Sequence, residues 1–320
     1  MFLTFTLALT LAAEPVDVAP APRVVGELVE LKTDTGTLHG TIDLPNTPAP
    51  WPVVLFQPGS GPTDRDGNGG VRTDCQKLLG RALAANGVAV LRIDKRGVGA
   101  STKTLAKEED AQIDTYAADV VAWVAFLRKD PRFTKVGYIG HSEGALVGLI
   151  AADKAKFDCY VSLCGPGRPL QEILREQLKK ALSADLYKES DAILTELEAG
   201  RTVKEVPKSL TAIFRPSVQP FLISAFKHDP AKLIADVACP VLVVSGSTDL
   251  QVSTADAKRL AEANKKSKLV TVEGMNHVLK AVKEMNRLSQ LPSYTDPSLP
   301  LHPKLTPELA AFLKQSLSAK

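Results

Sequence analysis

The sequence predicts an α/β protein whose central sheet is mostly parallel, flanked by helices and interrupted by one helical insertion. Short apolar runs at Val53 to Phe56, Val88 to Leu91 and Val136 to Ile139 alternate with helix-like stretches. This alternation is typical of buried parallel strands joined by crossover helices. It resumes near the C-terminus after a segment without strand-like runs. The 320 residues, 44% of them hydrophobic, suffice for one large domain with an insertion.

The N-terminal residues Met1 to Ala13 form an uncharged apolar stretch that ends in small residues. This pattern resembles a signal peptide, although no lysine or arginine precedes the apolar part. Residues 14–23, rich in proline and alanine, are a predicted linker. We therefore expect a secreted or periplasmic protein, with a cytoplasmic location as the alternative. The stretch is shorter than the roughly twenty residues that a membrane-spanning helix needs, so a stable membrane span is not expected.

The core is predicted to comprise residues 24–166 and 236–320. The alternating segment Val24 to Leu44 contains a turn-like sequence and predicts a leading antiparallel hairpin. Further strands are predicted at Val241 to Ser245 and Leu269 to Val272. A proline-rich stretch, 291–303, precedes a last helix with Thr306 as its predicted N-cap.

The insertion is predicted at residues 167–235, where no strand-like run occurs. Leucines and isoleucines recur there at helical spacing. Pro207, Pro216 and Pro220 favour several short helices over one long bundle. We expect this segment to form a helical cap over the core.

The sequence Gly140-His141-Ser142-Glu143-Gly144 follows a predicted strand and precedes a helix-like stretch. A Gly-x-Ser-x-Gly turn in this context is the pattern of a nucleophile elbow, which holds a serine hydroxyl clear of the main chain. The string alone arises by chance in about one chain of this length in ten, so the inference depends on the flanking elements. The sequence therefore predicts Ser142 as a nucleophile.

A serine nucleophile needs a base and a carboxylate that orients the base. Asp249 and His277 each follow a late predicted strand, and the order serine, aspartate, histidine is the one this architecture uses. Asp256 and Glu273 are the rival carboxylates, but Asp256 falls within a predicted helix. Of the five histidines, His277 alone follows a late strand.

The oxyanion of an acyl-transfer intermediate needs backbone N–H donors. The amide of Glu143 is one predicted donor, because it lies at a helix N-terminus directly after the nucleophile. The second is expected in the loop Gln57 to Pro62, with Ser60 preferred and Gly59 or Gly61 as alternatives.

These motifs together resemble the α/β-hydrolases, in particular bacterial serine esterases and their serine aminopeptidase-like and dienelactone-hydrolase-like relatives. Their oxyanion loop reads Gly-Ser-Gly-Pro followed by Asp-Arg-Asp, as Gly59 to Asp66 does here. The similarity continues through Asp94 to Gly99, Gly165 to Pro169 and Gly274 to His277. Many relatives have His-Gly where this chain has Pro58-Gly59. The resemblance implies an α/β-hydrolase fold and a serine hydrolase that needs no cofactor.

The predicted function is hydrolysis of small-molecule carboxylic esters through an acyl-enzyme on Ser142. Phe214, Phe221 and Phe226 are candidates for lining the acyl site, although such aromatic side chains fit the core of the cap equally well. A peptidase, thioesterase or acyltransferase would use the same triad, because the cap selects the acyl group. A non-catalytic binding protein is less expected, since it would tend to lose a triad residue. The oligomeric state stays open.

Two other function classes are disfavoured. The net charge is only +3, and no basic run is interleaved with aromatic residues, so nucleic acid is not an expected partner. Asp64, Asp66 and Asn68 match the start of a calcium loop, but Cys75 occupies the position that requires glutamate. No metal is predicted, and the charged groups 64–66 and 94–96 are expected to brace neighbouring loops.

Overall fold

The computed structural model describes residues 24–318, so the predicted signal peptide (1–13) and linker (14–23) lie outside the described residues. The strands are β1 (Val25–Thr33), β2 (Gly36–Leu44), β3 (Trp51–Gln57), β4 (Ala89–Ile93), β5 (Phe133–His141), β6 (Tyr160–Leu163), β7 (Val241–Gly246) and β8 (Lys268–Val272). The helices are α1 (Cys75–Ala85), α2 (Ile113–Lys129), α3 (Glu143–Ala155), α4 (Leu170–Ala181), α5 (Ala184–Glu198), α6 (Thr211–Phe214), α7 (Gln219–Phe226), α8 (Pro230–Ala235), α9 (Thr254–Ala263), α10 (Arg287–Thr295) and α11 (Leu305–Leu317). In this part of the chain no helix combines the length and the apolar character needed to cross a membrane.

All eight strands form one sheet, in the order β1-β2-β4-β3-β5-β6-β7-β8. The hairpin of β1 and β2 is antiparallel, and β2 pairs antiparallel with β4. The strands from β3 to β8 are parallel. The predicted mostly parallel sheet with a leading hairpin is confirmed.

Helices cover both faces of the sheet, which explains why the central strands read as unbroken apolar runs. Successive residues of β3 point to opposite faces: Val53 and Leu55 belong to one core cluster, and Val54 and Phe56 to the other. Helices α2, α3 and α9 cover the first face, while α1 and α11 cover the second. Since parallel strands end at one edge, the loops after β3, β5, β7 and β8 meet there.

Helices α4 to α8 connect β6 to β7, where the sequence predicts the insertion. They have their own hydrophobic cluster, which includes Leu178, Leu194 and Leu222. Arg168 joins the start of the insertion to α9, because its guanidinium donates to both carboxylate oxygens of Asp256 at 2.9 Å. Asp256 is therefore fully engaged in a structural ion pair.

Two details near the C-terminus differ from the sequence-based expectation. The proline-rich stretch contains α10, with Pro292 inside the helix. Helix α11 begins at Leu305, with Lys304 at its N-cap, so Thr306 is not the cap. Pro307 still falls in the first turn, where the missing N–H costs no intrahelical bond.

We expect Arg92→Met to destabilise the fold. Arg92 on β4 is buried and donates to Asp43 of β2 from Nε at 2.6 Å and Nη2 at 3.1 Å. Removing the cation leaves Asp43 buried without a counter-charge, which typically costs about 3 kcal/mol. Urea unfolding should show this loss, and the further change Asp43→Asn should recover part of it. Arg201→Met, at an exposed pair with Glu196, is the control and should have far less effect. An equal effect of both arginine changes would contradict this account.

Candidate active site

The predicted nucleophile Ser142 is the single residue between β5 and α3. Its backbone has φ +54° and ψ −125°, a strained conformation for a residue with a side chain. A Cβ on Gly144 would lie 2.6 Å from the carbonyl oxygens of Gln57 and Pro58, and a Cβ on Gly140 would clash with the main chain of Gly144. Close packing on both sides therefore requires the two glycines.

Asp249 and His277 meet as predicted, from the loops after β7 and β8. His277 Nδ1 lies 2.8 Å from Asp249 Oδ2, and both residues are buried. Asp249 Oδ1 accepts hydrogen bonds from the amides of Gln251 and Val252 at 2.7 and 3.0 Å. Burial alone would raise the pKa of Asp249, but His277 and the hydrogen bonds hold it below its ordinary value. The carboxylate stays ionised, so it orients the Nδ1–H and leaves Nε2 to exchange a proton.

Ser142 and His277 line one cavity of about 160 Å³, together with Gly59 and Ser60. The loop after β3 passes directly beside the elbow, since a Cβ on Gly59 would lie 3.1 Å from that of Ser142. Among residues 24–318 the main-chain amides of Gly59, Ser60, Gly61 and Glu143 donate to no other group. Glu143 follows the nucleophile directly, and each of the three loop amides leaves an N–H group for an oxyanion, so the choice of Ser60 stays a prediction.

The side chain of Lys95 holds the loop after β3 in place. Its buried ammonium donates to the carbonyl oxygens of Gly59 and Gly61, the latter at 2.7 Å. Burial lowers the pKa of Lys95, and the negative charge of the buried Glu143 opposes this shift. Burial raises the pKa of Glu143, and the positive charge of Lys95 opposes that shift. One side chain thus fixes the two carbonyls on either side of Ser60. The sequence predicted that residues 94–96 brace the loops flanking the oxyanion hole, and Lys95 does so here; its acceptors at Gly59 and Gly61 were not predicted.

The neighbouring charged groups brace the loops as predicted. The main-chain amide of Arg65 donates to Asp94 Oδ1 at 2.9 Å, and its Nη2 donates to Oδ2 at 2.6 Å. Because residue 65 follows β3 and residue 94 follows β4, this pair ties together the two loops beneath the cavity.

His141 is a second buried imidazole that sequence reasoning treated only as the variable residue of the elbow. Its Nε2 lies 2.8 Å from the main-chain oxygen of His277. Burial and the neighbouring His277 lower the pKa of His141 to about 3, so a neutral ring donates this hydrogen bond at ordinary pH. Its position as the variable residue of the elbow gave no sequence signal for this contact.

The three phenylalanines predicted as acyl-site lining lie elsewhere. Phe214 and Phe226 are buried in the cluster of the insertion. Phe221 packs against Tyr116, with ring centroids 5.7 Å apart. None of the three lines the cavity at Ser142. Their position corrects that assignment: Phe214 and Phe226 belong to the apolar core of the insertion, as the alternative interpretation expected, and Phe221 packs between that core and α2.

One group of described residues brings metal-ligating atoms together: His141, Cys164 and His277, whose candidate ligand atoms lie within 4.8 Å of one another. Hydrogen bonds to the main-chain oxygen of residue 277 and to Asp249 engage one nitrogen of each imidazole. Burial raises the pKa of the Cys164 thiol, which disfavours the thiolate that a metal binds. The neutral thiol and His141 therefore pack around the predicted base His277 and do not favour an ion site.

The sheet order, the strained elbow and the Asp249–His277 pair define the class of the protein as an α/β-hydrolase with a serine-hydrolase site. Residues 72–281 match the family described as serine aminopeptidase, S33, and the chain belongs to this family.

Similar proteins agree with this class. Esterase EstD of Thermotoga maritima is 28% identical over 249 residues, which are 76% of this chain and 58% of EstD. The chain thus spans less than two thirds of that relative. Est1E from Butyrivibrio proteoclasticus with bound ferulic acid is 19% identical, with a TM-score of 0.62 over 90% of this chain and 96% of that one. The esterase Pf2001 of Pyrococcus furiosus is 18% identical, with a TM-score of 0.58 over 91% and 90%. The two structures establish the shared fold.

We expect Lys95→Met to slow covalent labelling of Ser142 by a fluorophosphonate about 10- to 100-fold, because the donors of the loop lose their fixed positions. Labelling reactions that are quenched at set times and analysed by peptide mass mapping give the rate. Lys268→Met, at an exposed pair with Glu308, is the matched control.

The double change Lys95→Met and Glu143→Gln separates positioning from stability. It removes both buried charges, so thermal stability should recover relative to Lys95→Met while labelling stays slow. Labelling that recovers together with stability would show that Lys95 serves only the fold.

His141 should make the protein sensitive to acid. Its pKa of about 3 in the folded chain lies below the ordinary value of about 6.5, so the unfolded chain binds the proton first as pH falls. The free energy of unfolding should therefore decrease from pH 7 to pH 5, and this histidine contributes about 2 kcal/mol of the decrease. In His141→Gln, which keeps an N–H donor, urea unfolding at both pH values should show a correspondingly smaller decrease. Equal decreases in the two proteins would contradict a neutral, buried His141.

Proposed function

We propose that the protein is a serine hydrolase that cleaves carboxylic esters through an acyl-enzyme on Ser142. The observation that carries the proposal is the cavity lined by Ser60, Ser142 and His277, in which His277 is hydrogen-bonded to Asp249. His277 Nε2 takes the proton of the Ser142 hydroxyl as Oγ attacks the carbonyl carbon. The amides of Ser60 and Glu143 stabilise the oxyanion.

Three further proton transfers by His277 complete the cycle. When the tetrahedral intermediate collapses, His277 gives its proton to the leaving alcohol, and the acyl group stays on Oγ. The imidazole then takes a proton from the water that attacks the acyl carbon, and it returns this proton to Ser142 Oγ when the second tetrahedral intermediate collapses and the acid leaves. Asp249 remains ionised and stabilises the imidazolium in each step.

The lining of the cavity supports an ester over a peptide with a free amino terminus. An α-ammonium group needs a carboxylate or several acceptors when it is desolvated. Among the described residues that line the cavity at Ser142 there is no aspartate or glutamate. The names of EstD, Est1E and Pf2001 as esterases agree with this choice.

We propose that helices α4 to α8 act as a cap over the active site. Helix α4 lies beside the loop that carries Asp249, because Gln177 Nε2 donates to the main-chain oxygen of Gln251 at 2.8 Å.

We also propose that the protein is exported, on the basis of the apolar residues Met1 to Ala13. Sequencing the N-terminus of the mature protein tests export, and a mature chain that begins at Met1 would contradict it.

Ser142→Ala should reduce turnover of p-nitrophenyl acetate by about 10⁴-fold or more and abolish fluorophosphonate labelling. Asp249→Asn should reduce turnover by about 10⁴-fold, since the imidazole loses its oriented tautomer. Both variants should fold, as judged by circular dichroism. Ser298→Ala, an exposed serine, serves as the control. Full ester turnover in Ser142→Ala would refute the acyl-enzyme, and full turnover in Asp249→Asn would reassign the carboxylate.

A further inference from the structure

Helix α10 is amphipathic with its polar side turned inward. Gln290 and Ser293 are buried, with 1% and 3% of their surface exposed, whereas Leu288 and Leu291 are 84% and 56% exposed. Met285, just before the helix, is 60% exposed. Surface helices normally bury their apolar side, so an exposed cluster of large apolar residues indicates a binding surface.

Hydrogen bonds hold α10 in this orientation and attach it to the active site. Gln290 Nε2 donates to the main-chain oxygen of Thr248 at 2.9 Å, and Asn276 Nδ2 donates to Ser293 Oγ at 2.7 Å. Thr248 and Asn276 directly precede Asp249 and His277 in the chain. The helix is therefore fixed to both catalytic loops of the proposal: the loop of the orienting carboxylate Asp249 and the loop of the base His277.

A cleft of about 990 Å³ lies between α10 and helix α4 of the insertion. It meets the smaller cavity of Ser142 at Val71, Gln251 and Tyr294, which line both. Gln251 Nε2 also lies 3.2 Å from Tyr294 Oη. The cleft therefore adjoins the cavity of Ser142 at these three residues.

The cleft favours an uncharged apolar group. Of the nine large hydrophobic side chains that are exposed among residues 24–318, four line it: Val71, Leu250, Met285 and Leu291. The charges on the α4 side are balanced by ion pairs: Arg168 pairs with Asp256 and with Glu176, and Glu176 also accepts from Lys180 at 2.6 Å. Arg287 is exposed and therefore remains solvated.

We propose that this cleft binds the alcohol part of the ester, and that the preferred substrates join a short acyl group to a large, neutral, apolar alcohol. This inference rests on the proposed ester hydrolysis. His277 must protonate the leaving oxygen, so the alcohol departs towards His277, whose hydrogen-bond partner Asp249 lines the cleft. The acyl group then occupies the cavity of about 160 Å³ beside Ser60, which has room only for a short chain.

The test compares two series of esters below their solubility limits: acetates of butanol, hexanol and octanol, and ethyl esters of acetic, hexanoic and octanoic acid. Release of the acid gives kcat/KM. We expect kcat/KM to rise with alcohol length by up to about fourfold per methylene and to fall along the acyl series. The hydrolysis rate of the acetyl-enzyme should be the same for all acetates, because they share that intermediate.

Variants locate the effect. Met285→Ser combined with Leu291→Ser should lower kcat/KM for octyl acetate about tenfold relative to butyl acetate. Leu28→Ser on β1, where the leucine is 79% exposed and remote from the cleft, is the matched control and should keep the wild-type preference.

Three results would overturn the inference. Equal kcat/KM for all acetates would show that the cleft does not select the alcohol. A preference for long acyl chains that is lost in the double variant would assign the cleft to the acyl group instead. Light scattering that shows a dimer dissociated by the double variant, with unchanged ester preference, would identify the surface as a subunit contact. In each of these cases the protein still cleaves esters. If the proposed function itself is wrong, the protein hydrolyses none of the esters and Ser142 is not labelled.

Discussion

The contact between the elbow and the loop after β3 is the constraint on which the rest of the site depends. Gln57 pairs with Gly140 across the parallel strands β3 and β5, so the two loops leave the sheet side by side. Glycines at 59, 140 and 144 remove the side chains that would separate them. The serine hydroxyl and the amides of the neighbouring loop therefore approach closely, and the strained backbone of Ser142 is maintained by the packing around it.

Charges buried beneath this contact make the geometry rigid. The ammonium of Lys95 bonds the carbonyls of the loop, and Arg65 ties the next residues to Asp94. Isolated buried charges cost several kcal/mol, but ion pairs and hydrogen bonds compensate that cost. Such groups tolerate few alternative arrangements, because moving one leaves a charge unpaired. The loop is thus positioned before any substrate arrives, as electrostatic stabilisation of an oxyanion requires.

What the sequence predicted depends on how local each signal is. Strands, crossover helices and the elbow follow from periodicity and turn residues within about ten positions, and Asp249 and His277 follow from their places after strands. The sequence predicted a bracing role for Lys95 but not its acceptors, because Gly59 and Gly61 become its neighbours only through the pairing of β3 and β4. The phenylalanines failed for a related reason: helical spacing shows that side chains share a face but not which cavity that face meets.

Helix α10 is a further element that local sequence signals did not predict. The proline-rich stretch gave no helical signal, and the solvent-facing side of the helix is apolar. Leu288 and Leu291 contribute little hydrophobic free energy to folding, because their side chains stay largely in water. The buried Gln290 and Ser293 instead use their hydrogen bonds to support the loops of Asp249 and His277. The helix therefore stabilises the catalytic loops with its polar side, while its apolar side stays available. A ligand in the cleft covers Met285 and Leu291 and recovers hydrophobic free energy that folding left unused, and this recovery is what would make binding in the cleft selective.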